Sequence, residues 1–513
     1  MLSHIHTLTH IGAKPYKVTL ETDLSAGLPG MSLVGLASKS IEEARERVRS
    51  AIKNSGLTFP ARKIVINLSP ADLAKHGTSF DLGMAVGILV ASKQIPGPLA
   101  DTCFVGELSL NGRLMPTNDT YASVLAAADS GFRTIIVPKG SKIPPKDFIQ
   151  NLDVYVASTL RETYDWLLGA TPLSKYRYID KPTEKSPSYV DFSTIRGLEK
   201  AKRACSIAAA GSHNLLLSGP PGSGKTLLAQ AMPGILPRLS LDEAREVAYL
   251  HSLRADTSSQ DINDLIPPFR SPHHTASAVA IIGGGTHPKP GEISLAHRGV
   301  LFLDELAEFQ RATLESLRQP IEDGTVHISR SQAAVELPAQ FMLIAASNPC
   351  PCGFVGSTNG RCDCSTASIH RYQAKLSGPL LDRFDLHCVI REPSQLSPYE
   401  HKGDMITSKR LLEQVQDARD RQNHRFANED FSTNRSIPTD KLREYCRASA
   451  AAKTLIDTAL ARQRFTQRAI TRAIKTARTI ADLDGCDIIE VEHIAEALQF
   501  REAEQTTTLS QAV

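Results

Sequence analysis

A chain of 513 residues is too long for one ordinary core and is read as about two to four domains. Its 41% hydrophobic and 22% charged content are those of a globular protein, and no window approaches the ~20 consecutive apolar residues of a membrane helix. The net charge of +3 is close to neutral, so nucleic-acid binding would need a localised basic surface rather than bulk charge.

The chain begins "MLSHIHTLTHIGAKPYKV", which lacks the basic-then-apolar layout of a secretory leader. A cytoplasmic setting with reduced thiols is therefore expected. Residues 1–172 alternate strand-like runs, "KIVINL" (Lys63 to Leu68) and "TIIV" (Thr134 to Val137), with helical patterns. In "SKSIEEARERVRSAIKNS" the residues Ile41, Ala44, Val48 and Ile52 fall on one face, which predicts an amphipathic helix. The polar, proline-containing residues 173–191 read as a linker. Residues 192–391 form an α/β pattern with apolar strands "NLLLSG", "GVLFLDE" and "QFMLIAAS". Over 392–513 helical, charged segments dominate and strand signals stop.

"NLLLSGPPGSGKTLLAQA" carries the most specific chemistry. Gly219, Gly224, Lys225 and Thr226 fit a phosphate-binding loop set between an apolar strand and a helical run. The loop Gly219, Pro220, Pro221, Gly222, Ser223, Gly224 can curl its backbone N–H groups around phosphate oxygens. Lys225 brings a cation to the β- and γ-phosphates of ATP, and Thr226 offers a hydroxyl to Mg²⁺. "GVLFLDELAEF" supplies the second half: Asp304 and Glu305 end a buried strand at its carboxyl edge, where open α/β sheets bind ligands. Asp304 can hold Mg²⁺ through water and Glu305 can orient the attacking water. Together the two motifs predict an ATP hydrolase.

With "FRSPHHTASAVAIIGGGTHPKPGEISLAHRGVLFLDELAEF", "LRQPIEDGTVHISR", "SGPLLDRFDL" and "TARTIADLDG", these motifs resemble the magnesium-chelatase-like branch of the AAA+ ATPases, and within it the YifB/ComM family. The resemblance covers almost the whole chain from Asp191 onward. It implies an AAA+ α/β core with a C-terminal helical lid, and a ring, usually a hexamer. It further implies that Asn348 acts as sensor 1 near the γ-phosphate and Arg383 as a finger reaching the ATP of the neighbouring subunit. Arg468 would be sensor 2 on the lid. The function so implied is a DNA motor promoting branch migration in homologous recombination during natural transformation, with recombination proteins as further partners. The alternative is a chelatase-like remodeller of a protein complex. A complete domain ahead of the motor, which the chelatase motor subunit lacks, favours the first.

Directly after sensor 1 lies "NPCPCGFVGSTNGRCDCS", with Cys350, Cys352, Cys362 and Cys364 as two close pairs. A reducing compartment and the one-residue spacing argue against disulfides, whereas four thiolates can surround one structural Zn²⁺. Members of the family often carry this arrangement and others replace it, so the metal is not required for ATP chemistry. Cys103, Cys205, Cys388, Cys446 and Cys486 are scattered and read as small core residues.

"KHGTSFDLGMAVGIL" and "FVGELSLNGRLMP" resemble the proteolytic domain of Lon, an α+β domain with a Ser–Lys dyad. Ser79 lies near the place of that nucleophile, but Tyr121 stands where the lysine should follow. A serine without a base stays protonated, so the domain is expected to be non-catalytic and Ser79 to be a helix N-cap.

The long interval between the phosphate loop and "LFLDE" fits an insertion in the second helix, and "GTVHISRSQAAVELPAQ" fits a hairpin before sensor 1. In the related MCM helicases both elements grip DNA in the ring's channel. By that likeness Arg270, His273, His274, Lys289 and Arg330 are candidate DNA contacts; the competing reading has the two histidines stabilise the insertion internally.

Overall fold

Helix Lys39–Asn54 forms where the apolar spacing predicts it, and Ile41, Ala44, Val48 and Ile52 are all buried. The computed structural model describes residues 2–36, 38–73, 75, 77–178, 189–254, 265–285, 288–330, 333–355, 362–390, 406–461 and 465–509. Helix Lys39–Asn54 packs on helix Asp81–Ala91, which covers a mixed eight-stranded sheet. The strands Lys63–Ser69 and Thr134–Pro138 of that sheet contain the two strand-like runs. Ser174–Lys175 pairs antiparallel with Asp153–Ala157 at the sheet's edge, inside the stretch expected to be linker. Ladder bonds to an open edge outweigh the polar composition there.

The second sheet has five parallel strands in the order Phe269–Arg270, Val300–Leu303, Met342–Ser347, Leu215–Ser218, Leu386–Val389. All residues of Val300–Leu303 and Met342–Ser347 are buried, as expected for a parallel sheet covered on both faces. The order puts Met342–Ser347 between the strand leading to the phosphate loop and the strand ending in Asp304. Three adjacent carboxyl edges therefore meet at one place.

Two hairpins leave this core. Helix Ala278–Ile282 runs into the pair Gly283–Gly284 and Lys289–Pro290, and the chain returns through helix Glu292–Leu295. The second hairpin is Thr325–Arg330 with Ala333–Pro338. Helices Ser408–Arg425, Ala450–Ala461, Gln467–Leu483 and Val491–Leu509 make the C-terminal helical region. It shares one core with the sheet, Val415, Ile480 and Leu498 joining Ile344 and Leu386. Asp385 ties the two together: it accepts from the Asn214 amide at 2.9 Å and pairs with Arg472 at 3.1 Å. Burial opposes its charge, yet His213, 3.7 Å away, and the Arg472 and Arg435 cations hold its carboxyl well below the usual range.

The N-terminal domain is joined to the α/β core by common packing in which Leu8, Val124 and Ile135 meet Leu239, Val247 and Ala248. Helix Leu241–Ser252 adds polar links: Arg245 pairs with Asp129, and His10 Nδ1 lies 2.7 Å from Tyr249 Oη. Burial lowers the His10 imidazole to about 4, so it is neutral there. The turn at Gly12 sits on the second hairpin so closely that a Cβ would come within 2.1 Å of Val335 Cγ1.

Candidate nucleotide site and cysteine cluster

The loop after strand Leu215–Ser218 turns through Gly222 at φ +74° and Gly224 at φ +87°, left-handed conformations that side chains resist. Gly219 lies so close to the neighbouring chain that a Cβ would approach the Ile390 carbonyl to 2.5 Å. Lys225 opens the next helix and folds its ammonium over the loop, donating to the Gly219 and Pro220 carbonyls at 2.8 and 2.7 Å and to Asn348 Oδ1 at 3.2 Å. Burial pushes the Lys225 ammonium below its ordinary pKa, and Asp304 works against that shift. Thr226 Oγ1 donates to Asp304 Oδ2 at 2.8 Å, and the Glu305 amide donates to Asp304 Oδ1 at 2.9 Å. Three motifs more than a hundred residues apart at their extremes thus converge. A cation beside a hydroxyl–carboxylate pair is a donor set that fits a nucleotide phosphate with its Mg²⁺.

Glu305 has φ +51°, an unfavourable region for a residue with a Cβ, and its carboxylate lies 3.3 Å from His274 Nδ1. His274 in turn stacks near His273, with ring centroids 4.1 Å apart, and meets the edge of Phe309.

Arg383 and Arg468 converge elsewhere. Arg383 Nη2 is 3.0 Å from Glu322 Oε2, and Arg468 pairs with Oε1 of the same carboxylate. Among the described residues neither guanidinium bonds to the phosphate loop of its own chain.

The four sulfurs of Cys350, Cys352, Cys362 and Cys364 lie within 4.8 Å of one another. Sulfur distances of 3.4, 3.8 and 3.5 Å join Cys350, Cys352 and Cys362. Tetrahedral zinc with bonds of about 2.3 Å sets its sulfurs about 3.8 Å apart, so the cluster fits that ion. The knuckle touches the nucleotide site: a Cβ on Gly353, at φ +85°, would come within 2.4 Å of Pro221 Cδ. Among the other cysteines Cys103, Cys205, Cys388 and Cys446 are buried, whereas Cys486 is only partly so.

The comparisons agree with this layout. The family described as "Magnesium chelatase, subunit ChlI" matches residues 191–397, "Subunit ChlI of Mg-chelatase" matches 20–141, and its C-terminal family matches 405–501. YifB of Escherichia coli strain K12 is 42% identical over 98% of this chain and 97% of its own length. Competence protein ComM of Haemophilus influenzae is 41% identical over 98% of this chain and 97% of its own length. The chain belongs to the YifB/ComM family of magnesium-chelatase-like AAA+ proteins.

Lon protease 2 of Bacillus subtilis is 25% identical over 36% of this YifB/ComM-family chain and 37% of the protease. In the N-terminal domain Ser79 is not a helix cap, contrary to expectation: the N-cap position of helix Asp81–Ala91 is Phe80. Ser79 Oγ instead donates to Asp119 Oδ2 at 2.9 Å, because the buried hydroxyl needs an acceptor and the chain brings a carboxylate to it. Lys75, four positions upstream, is buried and donates to the Pro70 carbonyl.

The candidate DNA contacts do not form one group. Arg270 is held inward by Glu292 at 2.7 Å, an acid that also takes Arg254 at 2.7 Å. His274 faces Glu305, and His273 Nδ1 is 2.9 Å from Thr275 Oγ1. Lys289 is exposed on the first hairpin. Arg330 ends a strand of the second, and its side chain lies outside the described residues. Sequence reasoning missed Glu322 as the partner of both arginines and His274 as the partner of Glu305. Neither residue carries a local pattern that would have revealed it. Asp385, the second acid of "LLDRFDL", was missed as well.

Proposed function

We propose that this protein is a Mg²⁺-dependent ATP hydrolase that works as a homo-hexameric ring, moving single-stranded or branched DNA and driving branch migration in homologous recombination. Integration of DNA during natural transformation is the setting that likeness to a competence protein suggests. The observation that carries the reading is the meeting of Lys225 with Asn348 and of Thr226 with Asp304, in a chain 41% identical over 98% of its length to ComM.

In this reading the loop Gly219 to Gly224 cradles the phosphates with its amides, and Lys225 exchanges its carbonyl partners for β- and γ-phosphate oxygens. Thr226 and Asp304 hold the Mg²⁺. Bound there, the ion offsets the negative charge that develops on the transferring phosphoryl group. Glu305 orients the attacking water, with Asn348 beside it. Arg383 reaches the nucleotide of the adjacent subunit, and Arg468 serves as sensor 2 on the lid. Zn²⁺ on Cys350, Cys352, Cys362 and Cys364 has a structural part only, since four thiolates leave no open position. Lys289 and Arg330 are the DNA contacts the hairpins offer; Arg270 and His274 serve the motor internally. The work is cytoplasmic, where thiols stay reduced. No described helix is long and apolar enough to cross a membrane.

A strand-displacement assay on branched substrates, run with ATPase rates on single-stranded and forked DNA, tests this. The expected results are displacement that requires ATP and a rate that DNA raises. A rate unaltered by every DNA offered would instead favour a chelatase-like remodeller of a protein complex.

A further inference from the structure

Arg383, assigned to the subunit seam, and Arg468, assigned to the lid, already have partners within their own chain. Arg383 donates through Nε to the Arg318 carbonyl at 3.1 Å, through Nη1 to the Pro379 carbonyl, and through Nη2 to Glu322 at 3.0 Å. Arg468, far along the chain on helix Gln467–Leu483, takes the other oxygen of Glu322. One carboxylate therefore bridges two cations from separate elements. The nearby guanidinium groups of Arg318 and Arg472 have acids of their own, Glu315 and Asp385. Glu322 is 37% exposed in its side chain, so an incoming anion can reach the pair.

Its position in the chain is equally informative. Glu322 lies in the last turn of helix Arg318–Asp323, and after Gly324 the strand Thr325–Arg330 of the second hairpin begins. Gly324, at φ +67°, is the single residue between this helix and the strand, so the two elements are joined directly. The helix end is also tied to the C-terminal region, Arg435 donating to the Ile321 carbonyl at 3.0 Å. A displacement of Glu322 would thus be passed to the hairpin rather than absorbed.

A carboxylate and a terminal phosphate compete for the same donors, because both present paired anionic oxygens to a planar guanidinium fork. We infer that Glu322 is a positioning residue: its carboxylate holds Arg383 and Arg468 until the γ-phosphate of the neighbouring subunit's nucleotide displaces it, and its release moves the hairpin Thr325–Pro338. This rests on the reading of Arg383 as a finger acting across the seam. The exchange swaps ion-pair partners and makes or breaks no covalent bond. It links nucleotide arrival in one subunit to the hairpin of the next.

The test uses the full-length chain as wild type, Glu322→Gln, Glu322→Asp and Arg383→Ala. Ring assembly is followed by mass photometry against the concentration of a non-hydrolysable ATP analogue, and ATPase rates are measured with and without single-stranded DNA. Glu322→Gln should assemble at a roughly fivefold lower analogue concentration, the effect of removing one partly exposed competing ion pair. It should also lose part of its stimulation by DNA, because the hairpin no longer waits on phosphate arrival. Glu322→Asp, which keeps the charge on a shorter stem, should lie between. A higher analogue requirement in Glu322→Gln would mean that Glu322 merely supports the fold, and would overturn the inference. Unchanged assembly and unchanged DNA stimulation, with Arg383→Ala inactive, would also overturn it while leaving the finger reading intact. Full turnover by an assembled Arg383→Ala ring would remove the finger reading and this inference together.

Discussion

Two hydroxyl–carboxylate pairs of nearly equal length lie in the two halves of this protein. Ser79 and Asp119 are 2.9 Å apart in the N-terminal domain, and Thr226 and Asp304 are 2.8 Å apart in the AAA+ domain. What separates them is the third group and access. Ser79 is fully buried, its nearby lysine donates to a backbone carbonyl, and Tyr121, whose phenol burial pushes far up, stands where a base would be needed. The group that accepts the Ser79 hydroxyl is a carboxylate, a far weaker base than a lysine amine, so the serine stays protonated. Thr226 is exposed, and Lys225 stands beside it on carbonyls that a phosphate oxygen can replace. A hydrogen-bonded pair of this kind is therefore a neutral building block; the adjoining cation and an open approach are what fit it to the ligand proposed above.

The contrast can be broken in order of severity. Lys225→Ala should abolish ATP binding and lower turnover by at least on the order of 100-fold, read by nucleotide titration and phosphate release. Glu305→Gln should keep ATP bound while turnover falls roughly 100-fold, leaving assembled rings visible in solution. Replacing Cys362 and Cys364 by serine should remove zinc from the purified protein and expose the 350–364 loop to proteolysis, while ATP affinity changes only a few-fold through the Gly353–Pro221 contact. Metal analysis finding no zinc in the parent protein would refute that assignment. Ser79→Ala should leave ATPase rates unchanged and cost the N-terminal domain about 1–3 kcal/mol, the loss of one buried hydrogen bond, read by denaturant unfolding. Peptide cleavage that depends on Ser79 would reverse the comparison altogether.

The same contrast explains what was legible in the residues. Helix Lys39–Asn54 and the strands of the parallel sheet follow from periodicity, because burial on one or both faces is written directly into the spacing of apolar side chains. The edge strand Ser174–Lys175 was not legible, since two polar residues gain their structure from a ladder offered by Asp153–Ala157. Ser79 looked like a cap because it precedes an apolar helix; the carboxylate that claims it lies forty residues on.

By itself the sequence determined the phosphate loop, the acidic strand end and the four-cysteine knuckle. Their ligands are close neighbours along the chain, so spacing and local backbone geometry suffice to define them. Only the tertiary structure decided which distant polar side chains meet: His274 with Glu305, and Arg383 and Arg468 on Glu322. Such pairs depend on the path the chain takes between them, and Coulomb attraction acts on distance in space, leaving no mark on the order of residues.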